Sequence, residues 1–163
     1  MFFRIKKIKG KEYAYLVHNK WRKKGSRQKV KGYLGRVHKF DLKNDISFLE
    51  HLKIESLNDY IDKNPRNKII KDLVEWEILK HDIDGKEFSV DLDNLNVQKN
   101  KSNIVLMIND GFLCNLTLRN LLEFKAEGDE YEDGYRLARA FVEAGIKIPQ
   151  EVFIGLCQKF FNF

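Results

Sequence analysis

An α+β fold is predicted: an N-terminal three-stranded antiparallel meander packed on helices, then a mostly helical part with a short β-hairpin or strand pair. Three observations carry this. Residues 3–36 alternate in side-chain character and are broken by turn-forming pairs, as strands are. Residues 45–80 and 116–160 carry apolar residues at helical spacing, with caps and stops at their ends. A wholly apolar run, Ile104-Val105-Leu106-Met107-Ile108, is too short for a helix and reads as a buried strand.

The elements follow in order. Phe3 to Lys9 is the first strand, and Gly10-Lys11 marks a turn. Glu12 to Arg22 is the second, with Tyr13, Tyr15, Val17, Asn19 and Trp21 on one face and Ala14, Leu16, His18 and Lys20 on the other. Tyr13, Tyr15 and Val17 are read as the inner face. After Lys23-Lys24-Gly25-Ser26, Arg27 to Arg36 is the third, with Arg27, Lys29, Lys31 and Tyr33 on a common face. Such a meander is too thin to stand alone. Asp45 is placed as the cap of a helix holding Ile46, Phe48, Leu49 and Leu52, and Ser56 starts a short turn with Leu57, Tyr60 and Ile61. Pro65 opens a helix to Lys80 whose stripe is Ile69, Ile70, Leu73, Val74, Trp76 and Leu79. A strand is expected over 87–92, and polar loop over 94–103. Asn109-Asp110-Gly111 closes the apolar strand. Three helices finish the chain: 116–124, 129–144 ended by Gly145, and one after Pro149 to about Phe160.

Charge divides the chain. Residues 1–40 hold fourteen Lys and Arg against Glu12 alone, a net of +13, whereas residues 41–163 sum to −7. A net of +6 conceals this split. Two units are therefore expected: a basic β-sheet module over 1–40, and a mainly helical, mildly acidic domain over 41–163. A basic segment on an acidic body suits a polyanion. Same-face positions on a strand recur about 6.7 Å apart, so Arg27, Lys29 and Lys31 make a row about 13 Å long, near the spacing of a phosphate backbone. Arg4, Lys6 and Lys20 extend it across the strands, and Arg22-Lys23-Lys24 is its tip. Trp21 and Tyr33 are candidates to stack on bases. If the tyrosines are core, a basic ribbon of this kind fits a duplex major groove.

Other chemistry is weighed against this. No cofactor is expected, nor a metal. Asp91, Asp93 and Asp110 lie near strand ends, where a metal-dependent nuclease gathers carboxylates, but these are also the residues of turns and caps. His18, His38, His51 and His81 lack zinc-site spacing, and His18 and His38 are assigned to the basic surface. Cys114 and Cys157 are read as reduced thiols rather than a bridge. Glu127, Asp129, Glu130, Glu132 and Asp133 form a helix start or, alternatively, an acidic patch that competes for the basic sheet. The final helix has one cation, too few for a recognition helix, and is read as core or as an interface with a second copy or a protein partner, the exposure of Phe160, Phe161 and Phe163 deciding. The chain lacks a signal-like leader and a membrane-spanning run, and a cytoplasmic, intracellular protein is expected.

The segments Tyr13-Ala14-Tyr15-Leu16-Val17, Arg22-Lys23-Lys24-Gly25, Arg27-Gln28-Lys29-Val30 and Tyr33-Leu34-Gly35-Arg36 resemble the start of DDE-type insertion-sequence transposases. The resemblance covers residues 3–36. It implies a β-rich segment that engages DNA ahead of a catalytic domain. Residues 41–163 are too few for that domain and hold no matching set of separated carboxylates. A non-enzymatic nucleic-acid-binding protein is thus expected, with DNA set ahead of RNA by the resemblance. An RNA- or ribosome-associated factor, a protein-interaction adaptor and a metal-dependent nuclease are the alternatives.

Overall fold

The computed structural model of the chain describes residues 1–161. It is α+β, with six helices and seven strands among the described residues. Strands β1 (Phe2–Ile8), β2 (Lys11–Arg22) and β3 (Gly25–Lys39) form the antiparallel meander. Helices α1 (Phe48–Leu52), α2 (Leu57–Lys63) and α3 (Arg66–Lys80) follow. Then come β4 (Ser89–Asp91), β5 (Asn96–Lys99), β6 (Ser102–Ile108) and β7 (Gly111–Leu113), and α4 (Asn115–Leu122), α5 (Glu130–Ala144) and α6 (Gln150–Phe161).

All strands belong to one sheet, ordered β1-β2-β3-β6-β5-β4, with β7 also paired to β6. The sheet runs on past residue 40, because Arg36–Lys39 of β3 lie parallel to Ile104–Met107 of β6. The apolar run is therefore the central strand. Alternate residues on it serve two cores. Ile104, Leu106 and Ile108 join the large cluster with Ile69, Ile70, Leu73 and Phe141. Val105, on the other face, joins Ala14, Val37 and Cys114, against which Ile5, Leu34 and Phe112 pack.

Hairpin geometry explains two differences from the sequence expectation. The first turn is Lys9-Gly10, both at positive φ (50° and 79°), one residue earlier than expected. The stretch 94–103, expected as loop, contains β5 and the start of β6, joined by Asn100-Lys101 at φ 49° and 62°. Paired positive φ values give the turn whose twist matches the flanking strands. Asn109-Asp110, at 48° and 60°, makes the same turn into β7. The polar content of β5 concealed it: only Val97 is buried there.

Helix ends follow their caps. Ser47, not Asp45, starts α1; its hydroxyl accepts from Glu50 N–H, and the Glu50 carboxylate accepts from Ser47 N–H. Pro65 precedes α3, and Gly145 ends α5 at φ 76°. Leu79, placed on the buried stripe of α3, is 45% exposed, whereas Glu77, Lys80 and His81 are buried. Gly111 and Gly145 touch: a Cβ on Gly111 would stand 2.3 Å from Gly145 N, so only glycine lets β7 approach the end of α5. Both cysteines are free thiols, Cys114 buried and Cys157 half-buried.

Candidate nucleic-acid interface

Strand lengths build the site. β1 pairs with β2 only as far as Val17, while β2 and β3 continue together to Arg22 and Gly25. Residues 18–29 therefore extend past β1 as a two-stranded ribbon, closed by Lys23-Lys24 and by Gly25 at φ 116°. Lys20, Arg22, Lys23, Lys24, Arg27, Lys29 and Lys31 are all exposed, with no acidic residue among residues 13–40. Among the described residues, none of these seven cations forms an ion pair, and the ion pair within residues 1–40 joins Lys39 to Glu12 at 3.2 Å. Like charges left unpaired on a projecting element raise the local potential and draw a polyanion.

Two register shifts decide which side chains share a face. Gly35 opposes Ala14 and Tyr33 opposes Tyr15, leaving Leu34 as an extra residue; Gly32 opposes Leu16 and Val30 opposes Val17, leaving Lys31 extra. Each inserted residue resets the alternation of β3. The expected single row Arg27–Lys29–Lys31–Tyr33 is therefore divided. Arg27 and Lys29 oppose Lys20 and His18, making one basic face of the ribbon. Tyr33 lies on the opposite face with Tyr15, Tyr13 and, through strand pairing, Arg4, Lys6 and Arg36. Trp21, 82% exposed, is on that second face, as are Asn19 and Gln28. Arg4 donates to Gln28 Oε1 at 2.6 Å, tying β1 to the base of the ribbon.

Tyr13 and Tyr15 are not the inner face. Both are half-exposed, and among the described residues neither packs in an apolar cluster; of the expected inner face Val17 is buried, while Ala14, on the opposite face of β2, packs with Val37, Val105 and Cys114. Tyr15 and Tyr33 rings lie 5.3 Å apart and Tyr13 and Tyr33 6.4 Å apart, with Lys6 Nζ 5.0 Å from the Tyr15 ring. Tyr33 keeps its proton more firmly than usual, first through desolvation and then through the two neighbouring tyrosines.

His18 stands at the root of the ribbon. Its Nδ1 is buried without a hydrogen-bond partner among the described residues. Desolvation first, then Lys31, Lys20, Lys29 and the amino terminus, lower its pKa below the usual 6.5. Phosphate drawn to the same cations would reverse the electrostatic part of that shift, so binding takes up a proton. Affinity for nucleic acid is expected to rise as the pH falls below about 6.5, where His18 gains its proton. The His18→Gln variant, titrated beside the parent by fluorescence anisotropy, is expected to lose part of that dependence. His38 does not join this surface: it packs on Phe88 at 5.2 Å between ring centroids, and burial, then Arg36 and Lys99, lower its pKa.

The other candidates are placed by their hydrogen bonds. Asp91 accepts from Asp93 N–H at 3.1 Å, Asn94 N–H at 3.0 Å and the Asn94 amide at 2.7 Å, and these bonds, led by the Asn94 amide, hold its pKa below the ordinary carboxylate value. Asp93 pairs with Lys71 at 2.5 Å, and Asp110 forms the β6–β7 turn. Among the described residues, no group of three or more His, Cys, Asp or Glu side chains is arranged to hold a metal ion. In the acidic cluster, Asp129 caps α5, while buried Asp133 accepts from Glu127 N–H at 2.8 Å and Gly128 N–H at 2.9 Å and pairs with Arg136. Phe160 is buried; Phe163 lies outside the described residues. Among the described residues, no helix is long and apolar enough to cross a membrane.

Comparison of the chain with protein-family models, curated proteins and solved structures gives no match.

Proposed function

We propose that this protein binds nucleic acid without catalysing a reaction on it, gripping the phosphate backbone with the β2–β3 ribbon, and that DNA is its ligand in preference to RNA. The observation that carries the proposal is the ribbon itself. It is a projecting pair of strands with six exposed cations and, among the described residues, no carboxylate paired to them. A two-stranded ribbon is one of the shapes a major groove admits, and phosphates held by Lys20, Arg22, Lys23, Lys24, Arg27 and Lys29 would release counterions. Lys31 stands beside this set as the inserted residue of β3. The likeness of residues 3–36 to transposase N-terminal segments supports DNA.

The test is a competition of duplex DNA, single-stranded DNA and structured RNA for the purified protein at one fixed salt concentration. DNA of at least one form is expected to bind more tightly than RNA, and more weakly as salt is raised. Binding to none of the three rejects the proposal, and tighter binding to structured RNA moves it to an RNA-associated role.

A further inference from the structure

We infer that the tyrosine-bearing face of the meander is a base-stacking platform for single-stranded DNA, distinct from the basic face of the ribbon. This rests on the reading of the chain as a DNA-binding protein and names the form of DNA it takes.

Three observations combine. The first is the division of side chains by the register shifts. Arg27, Lys29, Lys20 and His18 occupy one face of the ribbon, a set that can neutralise phosphate but offers no large aromatic surface. The opposite face gathers Tyr13, Tyr15 and Tyr33, with Trp21 further along the same strand as Tyr15. Trp21 is six positions beyond Tyr15, about 20 Å along the strand. The second is exposure. Trp21 is 82% and Tyr33 57% exposed, whereas Val17 between them on that face and Ala14 and Val37 on the other are buried. Large aromatic rings left in water on a regular sheet are the feature that needs an explanation, since isolated exposed apolar residues do not.

The third is charge complementarity. Arg4, Lys6 and Arg36 share the tyrosine face by cross-strand pairing, and Lys6 lies over the Tyr15 ring. Cations between stacking rings suit a ligand with flat faces and a negative backbone. In a duplex the base faces are covered by their neighbours, and only an unpaired strand offers them. Tyr33, held in its neutral form by desolvation and its neighbours, presents a ring without adding negative charge.

Trp21 supplies a direct readout. The chain has two tryptophans, and Trp76 is buried with its indole N–H donating to Ile46 O at 2.9 Å. Titration with an oligothymidine labelled at neither end is expected to quench the Trp21 emission. Anisotropy with labelled oligothymidine, a duplex of equal length and an RNA of matching sequence then separates the ligands. The parent is expected to favour single-stranded DNA over duplex at equal salt. Tyr33→Ala and Trp21→Ala are each expected to weaken single-strand binding by about 5- to 100-fold and duplex binding less than about twofold, while Tyr33→Phe keeps the ring and the affinity. Trp21 is on the exposed ribbon, so its variant leaves the core untouched if Tyr33→Ala proves unstable. Unquenched emission with equal loss on both DNA forms, or tighter binding to the matching RNA, overturns the platform. Failure of the platform with salt-dependent duplex binding intact leaves the ribbon reading standing; absence of binding to all three probes removes both.

Discussion

Replacing Lys23, Lys24, Arg27 and Lys29 together by glutamine is expected to weaken DNA binding at least tenfold at about 0.1 M salt and to flatten the salt dependence. Each phosphate contact contributes about 0.9 to the slope of log affinity against log salt for a duplex, and about 0.7 for a single strand. Four lost contacts therefore reduce the slope by about 3 to 4. The four side chains are exposed and make no ion pair among the described residues, so the fold has little to lose. Net charge alone would also fall, from +6 to +2. A second variant controls for that: Lys53, Lys63, Lys86 and Lys125 are equally exposed and lie outside the meander. Neutralising them changes the total charge identically and is expected to leave the slope nearly unchanged, because exposed charges beyond a Debye length of about 10 Å are screened from the ligand. Equal effects of the two variants would mean that diffuse charge, and not the ribbon, binds DNA. An unchanged slope in the first variant would remove the ribbon from the site altogether.

The parts of the fold legible in the sequence were those set by local chemistry. Turn residues bounded the meander, Pro65 and Gly145 bounded helices, and the apolar run 104–108 marked the central strand. What escaped was set by pairing between distant segments. Nothing near Tyr13-Ala14-Tyr15-Leu16-Val17 says which face will be buried, because both alternating sets are apolar. The pairing of β3 with β6 brings Ala14 into a core with Val37 and Val105, whereas of the other set Val17 is buried and the larger Tyr13 and Tyr15 stay half-exposed. The inserted residues Leu34 and Lys31 are likewise invisible to alternation, although Gly32 and Gly35 flank them and glycine inside a strand often marks such a bulge. Gly35, at φ 139°, has the β6 backbone so close that a Cβ would stand 2.6 Å from Asn103 O. The candidate interface was thus legible as a set of residues, but its division into a basic and an aromatic face was not.

Glu77 was also overlooked, and it governs the second large effect expected. It follows Ile70 and Leu73 at helical spacing, a carboxylate on the buried stripe of α3, which is the signal that could have found it. Its side chain is fully buried. Oε1 accepts from Lys80 Nζ at 3.1 Å and from Lys147 N–H at 3.0 Å, and Oε2 accepts from the Asn109 amide at 2.9 Å. Asn109 also donates to Gly145 O at 2.9 Å. One carboxylate therefore joins α3, the β6–β7 turn and the link between α5 and α6. Lys80, itself buried, rests 3.5 Å from the centre of the Trp76 ring. Glu77→Ala leaves the buried Lys80 ammonium without its carboxylate and takes one acceptor from the Asn109 amide and the Lys147 N–H. The loss is expected to be about 3–5 kcal/mol, a large share of the roughly 5–15 kcal/mol that holds an ordinary domain together. Urea unfolding followed by circular dichroism should show a lower midpoint at similar slope. Lys80→Met removes the charge that Glu77 balances, and combining it with Glu77→Gln should cost less than the two single changes added together, by about 0.5–3 kcal/mol, because neither charge is then left alone. Simple additivity would show that Lys80 and Glu77 do not stabilise one another. The ribbon lies outside this network, so DNA binding measured well below the unfolding midpoint is expected to survive all four variants, whereas the ribbon variant loses binding with its stability intact.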